Sequence, residues 1–349
     1  MMRKIAIVIF SCLLFLCSCS TDSTTYKNQE LIAMNYNNIT NYCDFWLTTD
    51  SICYLEDSLI QKYFMVDKNS KTKIGVNNGY GFGKIQKYEE KIYMLDMVSF
   101  INERNSKYEL KLYDIDSKTI KKVCSVMNCE NFLVLDGVIY YLENSWVDDV
   151  PTLTLKKFSI DLEEHTTIRS SVVSFGVIED SLCYVIKDNN RIVIFKYNAE
   201  SGASVKCGEF LLYEDNTKMF DGFFFNNLRV SYTRNTVFFS SIDYENETST
   251  ILSYSFEQNA LSSRKIEGCI DGFASYNANS YFIISSEKSK NSELYMLNNK
   301  TDEITKITEI QGEGSLFVGS DEGVYVLRNK DNNLVFYSNE GNTQVVYEF

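Results

Sequence analysis

Residues Phe132–Leu142 read FLVLDGVIYYL, two apolar runs separated by the dipeptide Asp136-Gly137. Asp-Gly between two β-prone runs is a strong hairpin signal, because both of its positions accept the positive φ angles of a tight turn. The sequence therefore predicts two antiparallel strands here. The second strand, Val138–Leu142, provides a pattern that can be searched for along the rest of the chain.

That pattern recurs as seven short apolar and aromatic runs: Ile52–Leu55, Ile92–Leu95, Ile139–Leu142, Leu182–Val185, Val237–Ser240, Tyr281–Ile284 and Val324–Leu327. The mean spacing of the runs is about 45 residues, which is the length of one blade of a β-propeller.

A second signature follows each run, in which an aromatic residue has Asp, Glu or Asn three positions later. The seven pairs are Phe64/Asp67, Tyr113/Asp116, Phe158/Asp161, Tyr197/Glu200, Tyr254/Glu257, Tyr295/Asn298 and Tyr337/Glu340. We expect the aromatic residue to pack between neighbouring sheets and the polar residue to cap the turn that follows.

Each run is also preceded by a strand candidate and a tight polar turn, so every repeat has room for four antiparallel strands. We therefore predict an all-β chain in which residues 42–349 form one seven-bladed β-propeller of four-stranded blades. A stacked β-solenoid is the rival architecture. It uses shorter repeats and parallel pairing, which the hairpin turns argue against.

The N-terminal region carries the features of an export signal. Residues 1–18 have a basic start and an apolar stretch too short to span a bilayer comfortably, as in a secretory signal peptide. The sequence LCSC at residues 16–19 resembles the bacterial lipobox, which implies cleavage before Cys19 and diacylation of that residue. Residues 19–41 are polar, as expected of a lipidated N-terminus and flexible tether. We therefore expect an extracytoplasmic protein held by its lipid to the bacterial cell membrane, or to the outer membrane if the cell has one.

Composition excludes several functions. The chain has 349 residues, a formal net charge of -13 and one histidine, His165. The acidic surplus repels phosphate backbones, so we expect no nucleic-acid partner. One histidine leaves no His-rich metal cage, and His165 follows two glutamates in a predicted turn where we expect it to be solvated. Since nucleophile-elbow, phosphate-loop and calcium-loop motifs are also missing, we predict no metal, no cofactor and no catalytic residue.

Antiparallel connectivity places the loops between second and third strands on the same rim as the connections between blades. The longest predicted loops lie on that rim, and such loops usually carry binding residues. Trp146 beside Asp148 and Asp149 is the best candidate for an exposed recognition residue, since an aromatic face with adjacent acceptors suits a sugar or a cationic side chain. The alternative is that Trp146 packs over its own blade. Further aromatic candidates are Tyr80, Phe82 and Phe224.

The cysteines after Cys19 are interpreted mainly as packing residues. Cys53 and Cys183 occupy the same position of the repeat, where other repeats have aromatic residues, so we expect buried thiols. Cys124 and Cys129 are close enough in sequence to bridge a connection between blades. A disulfide between them is possible in an exported protein, and the sequence leaves it open.

The tyrosine-rich repeats, with turns such as Tyr113–Thr119 (YDIDSKT), and the lipobox together resemble bacterial β-propeller lipoproteins of unknown function. The resemblance covers nearly all of the chain after Cys19. Its motifs report the fold and transfer no functional residue.

Three functions remain open at this point. The favoured one is a membrane-anchored, non-catalytic binding or scaffold module that recognises a protein or an envelope glycan with the loop-rich rim. The alternative is a carbohydrate-active enzyme, a glycosidase or lyase, that uses carboxylates of the propeller channel. A third is an assembly factor similar to the propeller lipoprotein of the outer-membrane barrel-insertion machinery.

Overall fold

The computed structural model describes residues 45–348 apart from short segments. The segments left out are 48–50, 57–60, 68–72, 80–84, 89–90, 101–105, 148–149, 179–180, 212, 215–216, 219–228, 234, 277, 286–290, 313, 321 and 329–332. All regular secondary structure of the described residues is β. These residues include no helix with the length and apolar character of a membrane span.

The first four sheets follow one another along the chain. Sheet 1 contains β1 (Phe45–Leu47), β2 (Ser51–Glu56), β3 (Gln61–Asp67) and β4 (Lys73–Gly79). Sheet 2 contains β5 (Ile85–Tyr88), β6 (Lys91–Phe100), β7 (Ser106–Asp114) and β8 (Thr119–Met127). Sheet 3 contains β9 (Cys129–Leu135), β10 (Val138–Val147), β11 (Val150–Ser159) and β12 (Glu164–Ser170). Sheet 4 contains β13 (Val172–Ile178), β14 (Ser181–Asp188), β15 (Arg191–Tyr197) and β16 (Ser204–Leu211).

A short hairpin of β17 (Tyr213–Glu214) and β18 (Thr217–Lys218) precedes the remaining three sheets. Sheet 5 contains β19 (Arg229–Tyr232), β20 (Thr236–Asp243), β21 (Thr248–Ser255) and β22 (Ala260–Glu267). Sheet 6 contains β23 (Cys269–Tyr276), β24 (Asn279–Ser285), β25 (Asn291–Asn298) and β26 (Ile304–Gln311). Sheet 7 contains β27 (Gly314–Gly319), β28 (Gly323–Arg328), β29 (Asn333–Ser338) and β30 (Thr343–Glu348).

In all seven of these sheets the four strands pair in chain order and antiparallel. Each apolar run found in the sequence lies in the second strand of its sheet, as predicted. The Asp136-Gly137 turn between β9 and β10 has positive φ at both residues, 50° and 71°, which is the tight turn that the dipeptide favours.

The first strand of each sheet lies on the inside of the molecule and the fourth on the outside. First strands of successive sheets contact each other, as β5 does with β9 and β13 with β19. The fourth strand β12 has no buried residue, whereas its neighbour in sequence, β13, is almost wholly buried. Apolar clusters lie between the sheets, and one of them joins Ile92, Tyr140 and Tyr184 of sheets 2, 3 and 4.

The residue at the capping position of the turn after the third strand is the predicted one in two repeats, Asp67 and Asn298, and Asn298 Oδ1 accepts hydrogen bonds from the Lys300 and Thr301 amides at 2.9 and 3.0 Å. In the other five repeats the equivalent position is the residue directly after the aromatic, not the one three places later. Asp114 Oδ1 accepts a hydrogen bond from the Ser117 amide at 2.8 Å, and Asn198 Oδ1 accepts one from the Ser201 amide at 2.7 Å. The seven equivalent residues are all Asp, Asn or Ser: Asp67, Asp114, Ser159, Asn198, Ser255, Asn298 and Ser338. A short polar side chain here satisfies the amides of the turn, which explains the repeat better than the original pairing.

Most outer strands contain a β-bulge at one equivalent position. At each of these bulges the register shifts because one residue of the fourth strand has no paired residue on the third strand. The unpaired residues are Val76, Val123, Ile168, Cys207, Ile307 and Val346. Among the described fourth strands, only β22 of sheet 5 pairs along its whole length without a shift. A bulge increases the local twist of an edge strand and makes it a poorer template for another strand.

Candidate functional site

The rim that carries the connections between sheets and the turns after second strands is called the junction rim below. Several connections consist of a single residue with positive φ: Asn128 (43°), Ser171 (61°) and Gly268 (97°). At Gly268 a Cβ atom would lie 2.5 Å from Cγ2 of Ile284, so the position needs glycine for space as well as for φ.

One of these connections fastens sheets 2 and 3 together on the junction rim. Asn128 Oδ1 accepts a hydrogen bond from the Ser106 amide at 2.7 Å, and the Asn128 amide donates to the Ser106 carbonyl at 2.8 Å. The Asn128 carbonyl in turn accepts from the Asn144 amide of β10 at 2.9 Å. The connection and the far end of β10 therefore lie on the same rim, as antiparallel connectivity predicted.

Trp146 lies in a strand and not in the predicted loop. β10 and β11 continue their pairing to Val147 and Val150, and Trp146 is opposite Pro151. Proline is tolerated at this place because β12 reaches only as far as Thr154, so no third strand requires an amide from residue 151. Trp146 is thus two residues from the tip of an extended hairpin on the junction rim.

The hairpin that carries Trp146 is held firmly at its base. Two residues before Trp146 the chain is bonded to Asn128, and the Ser145 hydroxyl donates to the Thr152 carbonyl at 3.1 Å. Trp146 itself is half-buried, and its Nε1 atom is hidden from solvent. The exposed part of the side chain is therefore apolar ring surface, which can make stacking or hydrophobic contacts on a pre-organised support.

The other predicted site residues lie outside the described part of the chain. They are Asp148, Asp149, Tyr80, Phe82, Phe224 and the lipidation residue Cys19.

Sequence reasoning missed Tyr244, which is 62% exposed in the turn between β20 and β21 on the junction rim. The buried carboxylate of Asp243 holds this turn by accepting hydrogen bonds from the Glu245 and Asn246 amides and from the Asn246 side chain. The bonds from Asn246 lower the pKa of Asp243, so the cap stays ionised. The spacing Asp243-x-x-Asn246 between two β-rich runs was the signal that could have revealed an ordered turn with an exposed aromatic.

Two carboxylates below the junction rim form cross-strand ion pairs. Asp96 of β6 lies 2.6 Å from Lys111 Nζ of β7, and Glu143 of β10 lies 2.5 Å from Lys156 Nζ of β11. Their positions in sheets 2 and 3 are equivalent, which marks them as part of the repeat.

The first strands, which line the inside, contain few acids. Across their sequences the acidic residues are Glu130 of β9 and Asp271 of β23, each near the start of its strand. Every carboxyl group among the described residues with a clear pKa shift has a lowered pKa: Glu109, Asp114, Asp243 and Glu293. Within the described ranges no three His, Cys, Asp or Glu residues are grouped so as to hold a metal ion.

His165 is exposed, as predicted, but it lies in a strand and not in the predicted turn. It lies in β12, which begins at Glu164, and its ring centroid is 4.7 Å from that of Phe158. Its Nδ1 atom is 2.9 Å from the hydroxyl oxygen of Tyr141. Burial, followed by the nearby charge of Lys156, lowers the pKa of His165.

The described cysteines are packing thiols where their surroundings are known. Cys183 is fully buried, as predicted from its repeat position. Cys124 is a free thiol within the cluster between sheets 2 and 3, so the disulfide to Cys129 that the sequence left open is not formed. Burial raises the pKa of Cys124 to about 12, which makes it unreactive at neutral pH.

Comparison with solved structures supports the architecture. The β-propeller domain of the Trilobed protease from Pyrococcus furiosus has a TM-score of 0.57 at 12% identity, over 88% of this chain and 97% of that one. Oligogalacturonate lyase in complex with manganese has a TM-score of 0.54 at 13% identity, over 90% and 88% of the two chains. The tricorn protease has a TM-score of 0.54 at 11% identity, and this chain spans only 34% of its length.

No protein-family model matches the sequence, and no curated protein matches it either. At 11–13% identity the structural likeness concerns the fold alone and carries no activity across. Together with the four-stranded antiparallel sheets, it confirms the predicted fold class: the chain is an all-β protein with a β-propeller fold.

Proposed function

We propose that this protein is a non-catalytic binding or scaffold module whose seven sheets close into a ring and whose junction rim binds a protein or an envelope glycan. The observation that carries the proposal is the Trp146 hairpin, which offers apolar ring surface on a base fixed by Asn128 and Ser145. Rigid aromatic anchors are efficient binding residues because little conformational entropy is lost when a partner covers them.

Other residues of the junction rim support a binding surface. Val98 and Met127 are 45% and 43% exposed near the rim end of sheet 2, and Tyr244 is exposed on sheet 5. Exposed apolar side chains around an aromatic anchor favour contact with a partner. The described first strands carry only two acidic residues, Glu130 and Asp271, so they offer few carboxylates for glycoside hydrolysis or elimination, and this favours binding.

The proposal includes anchoring by lipid at Cys19 on the outer face of the cell membrane. It rests on the lipobox-like residues 16–19 and on the acidic charge of the chain. A net charge of -13 is repelled by anionic headgroups, so the acyl chains would supply the attraction. Mass spectrometry of the protein from cells tests this directly: a diacylated Cys19 at the N-terminus is expected, and an intact, unmodified N-terminus would contradict it.

The binding role is tested with the double variant Trp146→Ala, Phe224→Ala on an array of envelope glycans and in pull-downs from envelope extract. We expect it to lose a ligand that the unchanged protein binds while it still unfolds in one cooperative transition. Leu162→Ala is the matched control, because Leu162 is 73% exposed in the turn before β12, on the opposite rim. Unchanged capture by the double variant would refute the site. Steady release of product from a polysaccharide would refute the non-catalytic role.

A further inference from the structure

The hydrogen bond between Tyr141 and His165 joins two strands of sheet 3 that are not neighbours. Tyr141 lies on β10 and His165 on β12, and Phe158 of β11 lies between them, in contact with the imidazole ring. The Tyr141 and His165 rings meet edge to face with centroids 5.8 Å apart. The bond therefore fastens the start of the outer strand β12 to the buried second strand.

The direction of this bond follows from the surroundings of Tyr141. The side chain is 2% exposed, and burial raises the pKa of Tyr141, so the phenol keeps its proton. A phenol O–H donates to the unprotonated nitrogen of a neutral imidazole. His165 Nδ1 is then the acceptor, and the imidazole proton resides on Nε2.

Charged and titratable groups face this pair from every neighbouring strand. Lys156 of β11 opposes a positive charge on His165, and Glu143 of β10 favours it. Glu143 is already bonded to Lys156 at 2.5 Å, so its attraction for a second cation is weakened. Cys124 of β8 and Cys129 of β9 complete the surroundings on the Tyr141 side. They contribute no positive charge, and a thiol sulfur is a weaker acceptor than the imidazole nitrogen.

We propose that Tyr141 and His165 form a pH-sensitive latch that fastens the start of the outer strand of sheet 3 at neutral pH and loosens on mild acidification. When Nδ1 takes a proton from solvent, it becomes a donor, so the Tyr141 hydroxyl can meet it only as an acceptor and must turn its own proton away from the ring. The new cation also lies near Lys156, which adds repulsion at the same place. Both effects act on β12, a strand that has no buried residue and is paired only with β11.

The sign of the pH dependence follows from linkage. The pKa of folded His165 lies below the ordinary value of 6.5, so near and below that pH the unfolded chain binds more protons than the folded one. The stabilisation by the latch is full above the unfolded pKa and is lost as the pH falls through the folded pKa. Because His165 is largely exposed, we expect a modest effect.

The latch is tested by NMR on the full chain, which contains a single histidine and so gives a single set of imidazole signals. We expect the signals to titrate below pH 6.5 and to move towards that value in Tyr141→Phe. Titration at or above the ordinary value in the unchanged protein would overturn the proposal.

A second measurement separates the latch from general acid sensitivity. His165→Gln keeps a side-chain acceptor that does not titrate, so its melting temperature should fall less on acidification from about pH 7.5 to about pH 5.5, by about 1–2 °C. Amide exchange of β12 relative to β8, the outer strand of sheet 2, should rise over this range only when His165 is present. Equal responses in the two proteins would show that His165 does not stabilise β12 and would overturn the proposal.

Discussion

The inner and outer edge strands of the sheets both have backbone polar groups that no neighbouring strand pairs, but these groups are satisfied in different ways at the two edges. An edge strand has backbone amides and carbonyls without a neighbouring strand. On the inside, Gln86 of β5 donates from Nε2 to the Val134 carbonyl and accepts from the Val134 amide at Oε1, both at 2.8 Å. Gln86 is 1% exposed. A single side-chain amide thus takes the place of a neighbouring strand for β9.

On the outside, water satisfies the backbone and the risk is unwanted pairing with another chain. Bulges in six of the described fourth strands interrupt the regular edge, and β22 lacks one. The comparison teaches that a buried edge needs a specific partner for each polar group, whereas an exposed edge needs only to be made irregular. Substitutions at the two kinds of edge should therefore have very different consequences.

The largest effect is expected from Gln86→Leu. The buried Val134 amide and carbonyl would both lose their partner, which should lower the free energy of unfolding by about 3–4 kcal/mol. Gln344→Leu on the exposed edge strand β30 is the matched control and should change it by less than about 0.5 kcal/mol. Urea unfolding measures both. Similar values for the two variants would remove the distinction between inner and outer edges.

In the regular edge strand β22, proline substitutions at two adjacent residues should differ in cost, because one amide is bonded to β21 and the next is directed towards solvent. The Gly268 amide donates to the Glu247 carbonyl, so hydrogen-bonded pairs alternate from there and Ser262 pairs with Ser253 while Ser263 points its amide outward. Ser262→Pro should cost about 2–3 kcal/mol and Ser263→Pro less than about 1 kcal/mol in the same unfolding assay. The reverse order would mean that the strand is paired differently.

Overpacking the contact between an outer strand and the next sheet is expected to lower the free energy of unfolding by an intermediate amount. A Cβ atom on Gly208 of β16 would lie 2.3 Å from Cζ of Tyr254 in sheet 5, so Gly208→Ala should destabilise by about 2 kcal/mol through overpacking. Adding Gly208→Ala to a Tyr254→Ala protein should cost much less, since the ring that it meets is gone. Additive losses in this double-mutant cycle would refute the contact.

The smallest effect is expected for a polar contact between sheets. The Tyr281 hydroxyl of sheet 6 lies 2.8 Å from both the Ser320 carbonyl and Oδ1 of Asn339 in sheet 7. Tyr281→Phe keeps the ring and should lower the free energy of unfolding by about 1 kcal/mol. Tyr325→Phe, whose ring pairs with Phe336 within sheet 7, serves as the comparison variant. A loss at Tyr325 as large as that at Tyr281 would argue against a specific bond between the sheets.

The strand order was predictable from sequence because it depends on local signals. The Asp136-Gly137 turn and the repeated apolar runs fix which segments pair, and alternation of side chains fixes their faces. The caps of five third strands were misassigned. Tyr113, for example, has a polar residue both one and three positions later, and only hydrogen-bond geometry distinguishes Asp114 from Asp116.

Contacts between sheets were not predictable in the same way. The bond between Gln86 and Val134 joins residues 48 positions apart, and a lone glutamine in a short strand gives no sequence signal. The position of His165 was missed because two preceding glutamates indicated a turn, whereas packing against Phe158 places the residue in a strand. The Trp146 hairpin was not predicted, because the polar residues Asp148 and Asp149 and the proline at 151 give no strand signal.

The continuous construction of the sheets has a consequence for how such a protein can change over generations. Every four-stranded sheet of the described chain is made from one uninterrupted segment, and some are joined by a single residue. Tandem duplication or loss of one coding unit of about 45 residues would therefore add or remove a whole sheet and leave the remaining strand pairings intact. Selection could alter the circumference of the molecule in whole steps, while the rim residues diverge independently in each copy.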